Sequence, residues 1–370
     1  MKKALYVTSN MMLKKGDGIA KKIISQKKAL VGLGYSVDFS CKEKSGGSLA
    51  LCGSEEKITF DTPLKYSYFK CLAKILKDRL FEYDLVYIRN PHGGLYSLWM
   101  LYFLKIVRKK SKKIILEIPH FPYDIEASEI KTKVSVAAHK LIRPFLYKYV
   151  DTIVFMGESI DEIWNIPAIQ LHNCCDADEI EESLPGSREW DDFNFIGVAN
   201  LAYWHGYDRL INGLYDYYKN GGRGDIKFHI VGDTEPTLSI LKRLVCSLNM
   251  QEKIIFHGRL DGSELNLLFI GDVVGVDSLG RHRCGSSYND SLKSKEYCFR
   301  DIPFIKSHMD VSFDNVDFVY DVSAEESNVD VDAIQVWLKN LRFNKGCIRN
   351  FAEIKFNWES QMQKFLDDLS

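Results

Sequence analysis

Short runs of β-branched and aromatic residues recur along the chain, each followed by a longer stretch with helical spacing. ALYVT (4–8), YSVDFS (35–40), YDLVYI (83–88), KIILEI (113–118) and DTIVFM (151–156) read as strands. The segments near 19–33, 64–80, 94–109 and 128–148 read as helices. Strand and helix alternate, so the expectation is a mostly parallel sheet covered on both faces. The pattern breaks at ADEIEESLPGSREWDD (177–192), an acidic stretch with Pro185-Gly186 that has the composition of a linker. A second alternation follows: FNFIGV (193–198), IKFHIVG (226–232), KIIFHG (253–258), DVVGVD (272–277), IPFI (302–305) and FVYDV (318–322). The tail FAEIKFNWESQMQKFLDDLS reads as an amphipathic helix. The prediction is an α/β chain of two Rossmann-like doubly wound domains, 1–176 and 193–346, joined by a 177–192 linker and closed by a helix within 347–370.

Composition agrees with two buried cores. The chain has 370 residues, 46% hydrophobic and 27% charged, an ordinary globular profile. It contains no run of about 18 apolar residues, which argues against a membrane-spanning helix. MKKALYVTSN reads as a first buried strand rather than a signal peptide. The nine cysteines form no CxxC pair, and Cys174 and Cys175 are adjacent, so neither a disulfide framework nor a zinc site is indicated. A reducing cytoplasm is the expected setting.

Charge changes the picture. Residues 1–150 carry 28 Lys and Arg against 13 Asp and Glu, and the remainder 21 against 37. The first part is therefore about +15 and the rest about −16. So uneven a split points the basic part toward an anionic partner, a membrane surface or polyanion. LYSLWMLYFLKIVRKKSKK (95–113) has two readings, a membrane-contacting surface or a buried helix with a basic end.

Several strand ends carry candidate chemistry. Gly16, Asp17 and Gly18 close the loop after the first strand, where glycines permit close backbone approach and a helix N-terminus favours an anion. The spacing is not GxGxxG, so a dinucleotide fingerprint is weak there. LEIPHFPYDIE (116–126) leaves a strand with Glu117, Pro119, His120, Pro122 and Glu126. The prolines would fix a rigid loop, and His120 is placed to exchange a proton near neutral pH. In the second alternation Gly206 opens a helix, while Gly232-Asp233 and Gly258-Arg259 end two strands. The loop SLGRHRCGSSYND (278–290) adds Arg281 and Arg283, a pair suited to a diphosphate.

In order and spacing these pieces resemble a GT-B glycosyltransferase of the family-4 type, over nearly the whole chain. GDGIAKKIISQKKALVGLGYSVDF resembles that family's opening glycine loop, helix and second strand. VDTIVFMGES with AIQLHNCCD, then GYDRLI, FHIVGD, IIFHG and KEYCFRDIPFI, follow its later segments in order. The WES at Trp358 resembles a last helix that crosses back onto the first domain. The resemblance implies two domains facing across a cleft, with the acceptor on the first and a nucleotide-sugar on the second. It further implies retention of anomeric configuration and no required metal or cofactor. Glu296 falls where the family holds the ribose hydroxyls, and Lys293 and Lys295 fall near the donor diphosphate. Tyr288 stands where the family has a second acid, and Ala199 and His205 stand near the family's Arg and Lys positions. His120 is then the candidate for contact with the transferring sugar, with Glu117 or Glu126 as reserve acid. The expected role is sugar transfer to a glycan or lipid-linked acceptor in surface polysaccharide synthesis, at the inner membrane face. Nucleic acid is not an expected partner. The altered acidic position leaves two alternatives: a catalytically silent GT-B subunit that binds a glycan or protein, and a nucleotide-sugar epimerase or hydrolase.

Overall fold

The computed structural model describes residues 2–11, 18–54, 56–64, 66–78, 82–91, 96–124, 130–177, 180–184, 186–342 and 344–368. Gly16, Asp17 and Glu126 lie outside them. The chain divides into two compact units, one formed by Met1–His172 with Trp358–Ser370, the other by Asn173–Asn357.

Unit 1 is built on a nine-stranded sheet. Its parallel centre comprises β1 (Lys2–Met11), β2 (Tyr35–Lys42), β5 (Tyr83–Arg89), β6 (Ser111–Phe121) and β7 (Thr152–Gly157). Two antiparallel strands, β3 (Gly46–Ala50) and β4 (Lys57–Asp61), extend one edge, and β8 (Glu162–Ile163) and β9 (Ile166–Gln170) the other. The order is β4-β3-β2-β1-β5-β6-β7-β9-β8. The β3–β4 pair depends on glycine: a Cβ on Gly46 would fall 2.0 Å from the Phe60 carbonyl oxygen.

Helices α1 (Gly18–Gly32), α2 (Tyr68–Lys77), α3 (Tyr96–Val107) and α4 (Ile130–Lys140) complete unit 1, with a 3-10 turn over Arg143–Lys148. On α2, Tyr68, Phe69, Leu72, Ala73 and Leu76 are buried at helical spacing. Each large side chain sealed in this way contributes about 1.5–3 kcal/mol. One face of segment 95–113 belongs to the core. On α3, Met100, Phe103, Leu104 and Val107 are buried, while Trp99, Leu101, Tyr102 and Ile106 are partly covered and Leu98 is 54% exposed. Among the described residues no helix is long and apolar enough to cross a membrane.

Unit 2 has a six-stranded, wholly parallel sheet: β10 (Phe193–Val198), β11 (Ile226–Val231), β12 (Ile254–Gly258), β13 (Val273–Val276), β14 (Phe304–Lys306) and β15 (Val319–Asp321). Helices α5 (Tyr207–Lys219), α6 (Thr237–Ser247), α7 (Gly262–Leu267), α8 (Leu292–Phe299), α9 (Val331–Asn340) and α10 (Cys347–Lys355) surround it.

The expected linker is no free tether where it is described. Ser183 N donates to the Arg300 carbonyl at 3.0 Å, and Arg188 N donates to Asp272 at 3.0 Å. Asn173 donates through its backbone and its amide to Asp290. These bonds attach the segment to unit 2. Only α11 (Trp358–Asp368) returns to unit 1, whereas α10, also within the expected terminal helix, belongs to unit 2. In unit 1, Met362 and Phe365 are fully buried, Phe365 lies 6.0 Å from the Tyr87 ring, and His172 N donates to Gln361 at 3.1 Å.

Candidate functional site

The sheet order of unit 2 is β12-β11-β10-β13-β14-β15. From β10 the chain winds outward through β11 and β12, then returns to the other side of β10 as β13. The C-terminal ends of β10 and β13 therefore flank a topological switch point, where open α/β sheets bind ligands.

Polar side chains converge there. Asp277 directly follows β13 and is fully buried. Its Oδ1 lies 3.1 Å from Lys293 Nζ and accepts from Ser291 Oγ at 3.1 Å and from Ser278 N at 2.7 Å. His308, beyond β14, is buried with Nε2 3.7 Å from Asp277 Oδ2. Burial works to raise the Asp277 carboxyl, but the Lys293 ammonium and His308 outweigh it and hold it well below the usual carboxylate range. Lys293 is positioned by α8: Ser291 caps that helix and accepts from Lys293 N at 3.2 Å. The Lys293 side chain also reaches Ser278 Oγ at 3.3 Å and keeps 18% of its surface exposed.

The loop after β10 supplies the facing wall. His205 Nδ1 accepts from Ala202 N at 3.0 Å, so a neutral ring carries its proton on Nε2. Burial, then the positive charge of Lys293, pushes the ring pKa down to about 2, and Arg281 acts in the same direction. The walls are tied by backbone bonds from Leu279 N to His205 O at 2.8 Å and from Gly280 N to Trp204 O at 3.2 Å. This approach requires Gly206, whose φ is +63° and whose Cβ would lie 2.6 Å from the Leu279 carbonyl carbon. The site thus holds two permanent cations, one buried carboxylate and the neutral His205 ring. Its net positive charge and donor groups suit an anionic ligand.

The other predicted donor-side residues divide sharply. Glu296 lies on α8, and its Oε1 pairs with Arg300 at 2.9 Å. Lys295 is a correction. Its ammonium is completely buried between Asp290 at 2.7 Å and Asp310 at 2.5 Å, beneath the rings of Phe313 and Phe356. It is enclosed as a structural ion triad and has no open face for a diphosphate. Arg283 is likewise committed elsewhere, bound to Asp208 at 2.7 Å and Glu326 at 2.6 Å. The two carboxylates neutralise it and raise its pKa. Arg281 is buried near His205. Tyr288 is buried and makes a parallel bridge with Met309. Gly232 and Gly258 end β11 and β12, on the side of β10 away from β13. A Cβ on Gly232 would fall 2.1 Å from the Ala199 oxygen, so that glycine serves backbone packing. Asp233 and Arg259 are exposed beside it.

In unit 1, His120 is half-buried near the end of β6. Pro119 and His120 belong to the strand rather than to the expected loop. Ile118 pairs with Phe155 but Phe121 pairs with Gly157, so β6 holds one extra residue here, a bulge of the kind that re-aims a side chain. Glu117 is a second correction. It is completely buried, 2.6 Å from Arg89 and 3.3 Å from Lys22, and accepts from Tyr87 Oη at 2.9 Å. Burial favours its neutral form, yet Arg89 and Lys22 prevail and lower its pKa. A carboxylate so held stays ionised and is unsuited to donate a proton. Gly18 opens α1.

Asp277, Ser278, Ser291 and His308 escaped the sequence reading. The available signal was an acid ending an apolar strand, VVGVD, followed by serine at the turn.

No protein-family model matches the chain, and no curated protein does. Solved structures do. Sucrose-phosphate synthase from Thermosynechococcus elongatus superposes with TM-score 0.66 at 13% identity, covering 100% of this chain and 98% of its own. The catalytic domain of starch synthase IV from Arabidopsis thaliana, bound to ADP and acarbose, gives 0.64 at 10% identity, covering 99% and 98%. HepE from Anabaena in complex with UDP-glucose gives 0.60 at 13% identity, covering 100% and 99%. At such identities the likeness is one of fold: the chain has the two-sheet fold of GT-B glycosyltransferases.

Proposed function

We propose that the protein is a glycosyltransferase that moves a sugar from a nucleotide-sugar to a glycan or lipid-linked acceptor. The observation that carries the reading is the switch-point cluster of unit 2, where Lys293, Arg281 and the Nε2–H of His205 offer donors to an anion. Glu296 would accept from the ribose hydroxyls: both Arg300 contacts fall on Oε1, which leaves Oε2 for the ligand. Unit 1 would receive the acceptor, with His120 meeting the transferring sugar. Retention of configuration, a metal-independent transfer, and a cytoplasmic site of action in surface polysaccharide synthesis complete the proposal. The solved structures of similar fold support it, since two of those described were captured with a nucleotide or nucleotide-sugar.

The burial of Tyr288 and the neutralisation of Arg283 favour a second reading, a GT-B subunit that binds its ligand without turnover. A panel of UDP-, ADP- and GDP-sugars, tested by thermal shift and calorimetry in buffer with EDTA, decides between them. A bound donor should stabilise the fold by about 2.7 kcal/mol at a hundredfold excess over Kd. Stabilisation with sugar release or transfer supports the enzyme, stabilisation without either supports the silent subunit, and no response to any donor defeats both.

A further inference from the structure

Helix α4 is built the wrong way round for a helix covering a sheet. Its pattern is IKTKVSVAAHK. Ile130 is 81% exposed, Val134 64%, and Leu141, in the following turn, 76%. With Ala137, also exposed, these residues recur at i, i+4, i+7 and i+11, a single stripe on a helical surface. His139 lies opposite the stripe and is completely buried, anchored by its Nδ1 to Tyr123 Oη at 2.6 Å and near Arg143 Nε at 3.3 Å. The helix thus turns its polar anchor inward and Ile130, Val134 and Ala137 outward, with Val136 partly covered. The 3-10 turn extends the patch with Phe145 and Tyr147, about half exposed, and Lys148 Nζ lies 5.8 Å from the Phe145 ring centroid and 5.9 Å from that of Tyr147.

Charge selects the partner. Residues 130–148 contain five Lys and Arg and no Asp or Glu. Arg143 is satisfied by Asp124 at 2.6 Å, and Lys140 lies 3.7 Å from the same acid. Lys133 and Lys148 are exposed. A second copy of this patch would bring like charges together, whereas an anionic lipid surface neutralises them while its acyl boundary takes up the aliphatic stripe. A contiguous apolar surface rimmed by cations is the signature of an interfacial helix rather than of a solvated one.

We propose that α4 and the turn 141–148 form a docking surface for an anionic bilayer, with Ile130, Val134, Leu141 and Phe145 entering the interface and Lys133 and Lys148 held at the headgroups. This gives the basic half of the chain its partner, and assigns it to α4 rather than to 95–113, which buries Met100, Phe103, Leu104 and Val107. It deepens the transferase reading by naming where a lipid-linked acceptor would be met.

The test is flotation of the full chain with vesicles of neutral phosphatidylcholine and with the same lipid carrying anionic phosphatidylglycerol, without nucleotide-sugar. Binding is expected to the anionic vesicles only, and to fall steeply with salt because the Debye length is about 8 Å at physiological strength. V134S with L141S should lower the partition coefficient at least tenfold. K133E with K148E should lower it by about fivefold or more per lysine. These positions are exposed, so circular dichroism should match the parent. Equal binding to neutral vesicles, no binding to either, or variants that bind as the parent does would each overturn the proposal. So would a concentration-dependent dimer that V134S/L141S dissociates with no change in vesicle binding. Because no donor enters the assay, a failure here leaves the nucleotide-sugar reading intact, and a failure of donor binding leaves this one.

Discussion

Each unit keeps a cluster of charge near the C-terminal edge of its parallel strands, and the two clusters differ in access rather than in kind. In unit 1, Glu117 is wrapped by Arg89, Lys22 and Tyr87, and the Lys22 ammonium lies 5.4 Å from the Trp358 ring. All three charged groups are at most 5% exposed. In unit 2, Asp277 is as deeply buried as Glu117, but its partner Lys293 reaches the surface. A charged residue at a strand end therefore marks a ligand site only when some of its charge remains open. Burial with full pairing marks a structural device instead. The same contrast recurs within α8: Lys293 is open and Lys295, two residues on, is sealed.

The comparison can be broken most severely at His120. Its place in the β6 bulge, three residues beyond sealed Glu117, leaves its ring partly exposed at that strand's C-terminal end. His120→Ala should lower kcat by about 10²–10⁴-fold if the ring transfers a proton, with donor Kd unchanged because the proposed donor site is on unit 2. Steady-state kinetics and calorimetry on one folded sample provide the check, and near-normal kcat would remove His120 from the chemistry.

Next come the sealed charges. Lys295→Met should cost about 3–5 kcal/mol in urea denaturation, since it strands Asp290 and Asp310 without a cation. Glu117→Leu should cost a similar amount through Arg89 and Lys22. If Lys295→Met unfolded at the parent's urea midpoint while donor affinity collapsed, Lys295 would belong with the ligand after all.

Glu296→Gln sharpens the open side. Donor binding should weaken by roughly 1.5–3 kcal/mol, the worth of a hydrogen bond to a charged group, while the glutamine Oε1 can still accept from the buried Arg300 side chain, so the fold is expected to hold. Unchanged affinity by calorimetry would move the ribose site elsewhere.

The smallest effect is a pH slope. His205 is neutral in the folded protein down to about pH 2 but protonates near 6.5 when unfolded. Between those values the unfolded state binds the extra proton, so this residue makes stability fall as pH drops below about 6.5, by about 1.4 kcal/mol per pH unit. His205→Asn should flatten the slope between pH 6.5 and 5. Parallel slopes for the two proteins would show that His205 is charged when folded.

Much of the fold was legible because it rests on local patterns. The apolar runs of β5, β10 and β13 needed only their neighbours in sequence to be recognised. The edge strands β3 and β4 were missed because GGSLA has the glycines of a loop, and its pairing depends on Phe60, which lies fourteen residues beyond Gly46. The site was less legible, since its meaning lies in pairings across long separations. Arg281 and Arg283 look alike in sequence, and only the structure shows that Arg283 is bound by Asp208 and Glu326 while Arg281 is buried beside His205. Segment 95–113 and α4 are both apolar and basic. How much of each faces the core is decided by the sheet it meets, so the pattern of 95–113 left a buried helix and a surface equally open.

The return of α11 to unit 1 has a consequence for biosynthesis. Unit 2 is one uninterrupted stretch, 173–357, and can close as soon as it has left the ribosome. Unit 1 cannot, although its strands are made first. Trp358, Met362 and Phe365 are the last of its core residues to be translated, and until they arrive Lys22 on α1 and Tyr87 on β5 stay uncovered. The first-made half is therefore the last to finish, and must wait with part of its interior open through the synthesis of nearly two hundred further residues.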